Sequence, residues 1–185
     1  MKNQCKHLAR ALCLTGLLSI AGPVAANPPD IWGAKFIVSH LSLNATGFIS
    51  FLKVVNPQTS NGVACTADTA SSVCRSDQVC STTTQKCVVG TRGIKADITF
   101  ELAEGIKGAV TQVELGAVGS GGIATISEAA ILTAIGEPTQ LVDVSMVIYI
   151  QNADAIVLAE KKASDGRLGI PVERVFLLTD PFASS

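Results

Sequence analysis

Three features of the sequence predict an all-β fold, an antiparallel β-sandwich of about seven or eight strands with one short helix and a disulfide-stapled loop insert. Residues 93–102 alternate strictly, with Ile94, Ala96, Ile98, Phe100 and Leu102 apolar and Lys95, Asp97, Thr99 and Glu101 polar between them. Strand side chains point alternately to two faces, so this segment has one face buried and one in water. Short apolar runs recur along the chain, separated by clusters of Gly, Asn, Asp and Pro. Only residues 128–135 carry helix signals at both ends, with Ser127 as cap before them and Gly136 and Pro138 after them.

The elements follow in order. Residues 1–26 read as a secretory signal peptide, with Lys2, Lys6 and Arg10, an apolar run over 11–22, then Pro23 and the small residues Val24-Ala25-Ala26. The apolar run, about 12 residues, is too short to cross a bilayer core of about 30 Å. Cys13 follows Arg10-Ala11-Leu12, which is not a lipobox. Residues 27–185 then form a single domain, starting at Asn27 with the extended lead-in Asn27-Pro28-Pro29-Asp30. Cleavage removes three basic residues and no acidic ones, leaving a net charge of about −4. That balance gives no case for nucleic acid or an anionic membrane surface as partner.

Residues 34–43 have strand character, with Phe36, Val38 and His40 on one side and Ile37, Ser39, Leu41 and Leu43 on the other. Asn44-Ala45-Thr46-Gly47 reads as a turn, and its first three residues are formally a glycosylation sequon. Residues 48–55 are apolar on both faces, as in a central strand, and Asn56-Pro57 stops them. After the alternating strand, 109–115 returns. The glycine-rich 116–122 lacks the basic residue and long helix of a phosphate loop and is a connection. A short strand over 123–126 precedes the helix, which is expected to cross between sheets. Residues 141–150 form a long strand with Val142, Val144, Met146, Ile148 and Ile150 on one face. Residues 155–161 and 168–178 complete the set, and Pro171 places the last at an edge or a bulge. Residues 180–185 are a tail.

The order "FLKVVNP", an alternating strand, its return, "GGIATISEAAILTAIG", a long strand and "GRLGIPVERV" resembles secreted bacterial β-sandwich domains of the immunoglobulin-like or adhesin-like kind. The likeness covers residues 48–175 and implies a sandwich. The segment 62–90 departs from that pattern.

This segment is an insert holding Cys65, Cys74, Cys80 and Cys87 among Thr, Ser, Gln and Asp. It has too few large apolar side chains to fold by burial alone. Four cysteines allow three pairings. The stretch "CTADTASSVCRSDQVCSTTTQKCV" is similar to small EGF-like or Dickkopf-like knots, and that similarity implies pairing 65 with 80 and 74 with 87. Zinc needs C-x2–4-C knuckles and a redox pair needs C-x-x-C; neither spacing occurs. No metal and no cofactor is expected.

Asp68, Arg75, Asp77 and Gln78 are the candidate binding residues, with Arg75 and Gln78 expected to be exposed between the staples. Arg75 beside a disulfide also suits a protease-inhibitor loop, which nothing else supports. Asp68 and Asp77 lack the D-x-D-x-D-G pattern of a calcium loop.

Beyond residue 26, His40 is the single histidine, so a Ser-His-Asp triad would have to use it, and no G-x-S-x-G elbow accompanies it. Glu101, Glu104, Asp143, Glu160 and Asp165 are the acids available for carboxylate chemistry; each reads as a solvated strand face or turn. Lys161-Lys162 and Pro171 read as edge protection.

The sequence therefore describes a secreted, periplasmic or cell-surface binding or structural module without enzymatic activity. Its expected partner is another protein or surface component, met by the stapled insert, with no membrane insertion after signal cleavage. A carboxylate-dependent hydrolase and an assembling surface or filament subunit are the alternatives.

Overall fold

The computed structural model describes residues 33–43, 47–163, 165–178 and 181. The segment read as a signal peptide, the lead-in, the sequon and all of the tail except Pro181 lie outside the described residues. Among the described residues, no helix is long and apolar enough to cross a membrane.

The chain runs β1 (Gly33–Val38), β2 (Ile49–Val55), β3 (Ser60–Ala64), α1 (Ala70–Val73), β4 (Gln78–Cys80), β5 (Lys86–Val89), β6 (Arg92–Leu102), β7 (Lys107–Val118), β8 (Ile123–Ser127), α2 (Glu128–Ala134), β9 (Leu141–Ile150), β10 (Ile156–Ala163), β11 (Gly166–Ile170) and β12 (Val172–Leu177). A five-stranded sheet has the order β12-β1-β9-β6-β7, and a four-stranded sheet the order β11-β10-β2-β8. The pairings in both are antiparallel. The insert contributes a separate three-stranded sheet, β3-β5-β4.

The expected alternation of β6 is what faces the core. Ile94, Ala96 and Ile98 are buried, as are Val144, Met146, Ile148 and Ile150 of the neighbouring β9. Leu52, Val54, Ile126, Val157 and Ala159 face them from the four-stranded sheet. Burying each large aliphatic side chain contributes roughly 1.5–3 kcal/mol, so this interior carries the stability of the sandwich. β2 is central, between β10 and β8, as its two apolar faces predict. Helix α2 crosses from the four-stranded to the five-stranded sheet, and the Ser127 side chain accepts a hydrogen bond from the Ala130 amide at its start.

Two local expectations are corrected. His40 does not continue the Phe36 and Val38 face: it adopts φ +60°, and the alternation shifts so that Leu41 and Leu43 are buried on the core side. The amide of Leu41 then donates to the carbonyl of Val144, resuming the pairing with β9 after the kink. Val142 is exposed rather than aligned with Val144, because the β6–β9 register slips between Glu101 and Leu102.

The extended segment 168–178 resolves into two edge strands in different sheets, β11 and β12, with Pro171 at the switch. Proline lacks the amide that a ladder needs, so a break between edge strands suits it. At the opposite edge of the five-stranded sheet, β7 departs from the register of β6 twice, and Gln112 sits there at φ +55°. Such bulges spoil an open edge as a template for another strand.

Candidate contact surface

The insert leaves the sandwich after β2 and returns at β6, so it lies on the passage from one sheet to the other. The pairing is Cys65–Cys80 and Cys74–Cys87, as the resemblance to four-cysteine knots implies. These staples close separations of 15 and 13 residues. Each is worth about 3 kcal/mol on chain-entropy grounds. Burial adds little: Cys65, Cys87 and Val88 are the buried apolar residues of the segment, while the five residues of β3 are exposed.

Two buried polar residues anchor the insert. Asn56, fully buried at the end of β2, directs its side-chain NH2 at the carbonyls of Gly90 (2.9 Å), Gly119 (3.2 Å) and Val118 (3.3 Å). Its side-chain oxygen accepts from Asn152 at 2.7 Å, and its amide donates to Gly122 at 3.0 Å. One side chain thus joins the exit of the insert, the β7–β8 connection and the β9–β10 turn.

Arg92, at the start of β6, is the second anchor. Its guanidinium donates to the carbonyls of Gln151, Thr91 and Asp77, and lies 3.2 Å from the Asp77 carboxylate. Burial lowers the Arg92 pKa from its ordinary value, and the negative charge of Asp77 opposes that shift. The sequence carries a signal for both anchors in their parity. Asn56 shares the parity of Leu52 and Val54, and Arg92 that of Ile94, so both fall on inward positions.

The four candidate binding residues separate into two groups. Asp77 and Gln78 are half-buried and engaged within the insert. Asp77 meets Arg92 and lies 3.3 Å from Arg75 Nε, and the Gln78 side-chain oxygen accepts from Asn61 at 3.1 Å. Gln78 is thus less exposed than its place between the staples suggests. Asp68 and Arg75 face solvent. So do three aliphatic side chains that composition did not single out, Val63 (40% exposed), Val73 (41%) and Val79 (47%).

Among the described residues, one set of metal-ligand types converges within 4.8 Å, the sulfurs of Cys65, Cys74 and Cys87, and each is already in a disulfide. A groove of about 420 Å³ lies on the outer side of the five-stranded sheet, lined by Thr99, Glu101, Lys107, Asp143 and Ser145. Phe100 shows through its floor because its ring lies against Gly108, where a Cβ would come within 2.3 Å of it.

Glu101 and Asp143 stand directly opposite each other across β6 and β9. Like charges so placed repel. Lys107 is opposite Glu101 on the other side, and His40 Nδ1 sits 3.0 Å from the Asp143 carboxylate. The His40 side chain is 83% exposed, so this pair is a surface contact.

Tyr149, on the same outer face, donates to Asp97 at 2.9 Å. Burial, with that hydrogen bond and the adjacent charge, pushes its pKa up to about 12. The chain matches no family model, no curated protein and no solved structure.

Proposed function

We propose that the protein is a secreted, non-enzymatic binding or structural module of the adhesin-like kind, acting in the periplasm, at the cell surface or outside it. The sandwich is scaffold, and the insert 62–90 with its adjoining loops is the contact surface for another protein or surface component. One observation carries this reading: Val63, Val73 and Val79 are exposed on a segment that two disulfides and the Arg92 anchor hold in place. Apolar side chains held in one conformation lose little entropy on binding, which favours recognition over random collapse. The two disulfides suit an oxidising compartment, in keeping with the signal-peptide pattern at the start. A carboxylate hydrolase has less support, because Glu101 and Asp143 line a groove on an outer, solvent-facing side of the sheet, where Glu101 stands opposite Lys107 and Asp143 meets the exposed His40.

The test is capture of partners from the secreted and envelope fraction by the mature protein. The comparison is a variant carrying Val63→Ser, Val73→Ser and Val79→Ser. These changes spare both anchors and both disulfides. The variant is expected to retain its β spectrum and to lose at least about tenfold in affinity for the captured partner. Equal capture by both forms contradicts the reading.

A further inference from the structure

The two broad outer faces of the sandwich differ in charge and apolarity. On the four-stranded sheet, the register sets Ile123 beside Val55 and Val55 beside Ile156, with Leu158 in the next row. Ile123 is 67% exposed, Ile49 60%, Leu158 47% and Ile156 44%. Antiparallel sheets with one wet face ordinarily carry polar side chains at such positions.

The charges on this face are mostly basic. Among the described residues, Lys53, Lys162 and Arg167 stand against one carboxylate, Glu160. Lys53 and Arg167 each reach Glu160 at 3.4 Å and flank the Phe51 ring at 5.6 and 5.9 Å from its centroid. These cations are therefore held against the sheet.

The outer face of the five-stranded sheet has the opposite balance. Among the described residues, Asp97, Glu101, Glu114, Asp143 and Glu173 point outward there against Lys35, Lys95 and Lys107, an excess of acid, with Ile37 and Val147 adjacent at its middle. We infer that the two faces bind each other in trans: a second copy of this chain covers the basic, apolar face with its own acidic face. The two patches are different, so the contact is head-to-tail and propagates unless a ring closes it.

Its strength follows from its size. Four strands about 4.8 Å apart and some six residues long present a face of about 400 Å². A standard complex buries about 800 Å² per partner, so association is weak, concentration-dependent and reduced by salt. None of these residues belongs to the insert, so this inference and the binding role of the insert fail separately.

The experiment is sedimentation velocity on the mature chain up to about 1 mM, at low and at high salt. The wild type is expected to grow past dimer with concentration at low salt and to dissociate at high salt. Leu158→Glu blocks one face; Glu101→Lys with Asp143→Lys blocks the other. Each variant alone is expected to lose at least about tenfold in association, and an equimolar mixture to stop at dimer, since each supplies one intact face. Arg167→Glu repeats the first block at an exposed site outside the apolar row, in case Leu158→Glu perturbs folding. A wild type that stays monomeric overturns the inference. So does a mixture that forms no dimer, or an acidic-face variant that self-associates as the wild type does.

Discussion

The sandwich and the insert are built by different forces, although they share one chain and one junction. In the sandwich, inward-facing aliphatics from two sheets fill a common interior, and the core could be read from alternation in the sequence. In the insert, few apolar residues are buried and β3 lies open to water, so two disulfides supply what burial does not. The difference teaches that stability and presentation are divided here. One part can hide its apolar side chains because it has a core, and the other can display them because it is cross-linked.

The largest expected effect comes from the core. Ile148→Ala deletes a fully buried side chain of the central strand β9 and should cost about 2–5 kcal/mol in urea unfolding. Val79→Ser, at an exposed aliphatic of the insert, should change the same midpoint by less than about 0.5 kcal/mol. Similar losses at the two positions would erase the distinction between the regions.

The junction comes next. Asn56→Ala removes a fully buried amide, so the Asn152 side-chain NH2 loses its acceptor and the carbonyls of Gly90, Val118 and Gly119 lose the donor that joins them, although Gly119 still accepts from the Gly122 amide. A loss of about 1–3 kcal/mol is expected, because each abandoned buried group retains its desolvation penalty. Hydrogen exchange would show whether the loosening extends into both regions, as a shared junction requires.

The smallest effect concerns the outer face of the sandwich in alkali. Tyr149 is the single tyrosine of the chain, so absorbance at 295 nm titrates it alone. Its folded pKa of about 12 lies above the ordinary 10.0. Folding thus favours the protonated phenol, so its contribution is fully present below pH 10 and is lost as pH rises through about 12. The titration midpoint should fall toward 10.0 in urea. Tyr149→Phe should lose this part of the alkaline dependence.

Much of the sandwich was legible because period-two alternation maps directly onto burial. It failed where the backbone broke the period, at the positive φ of His40 and at the register slip beside Val142. The division of 168–178 between two sheets was hidden for a related reason: a local pattern shows a strand but not its neighbours. At the candidate surface the cysteines were conspicuous. The roles of Asp77 and Gln78 were not, since their partners Arg92 and Asn61 lie 15 and 17 residues away in the chain. The exposed valines were obscured because apolar residues are ordinarily assigned to a core.

The most direct test of the divided architecture is native-state hydrogen exchange of the protein before and after disulfide reduction. Reduction is expected to raise exchange within 62–90, at the amides of β4 and β5, while those of β6 and β9 keep their protection. Loss of protection in β6 and β9 on reduction would contradict it, because the sandwich would then depend on the staples as much as the insert does.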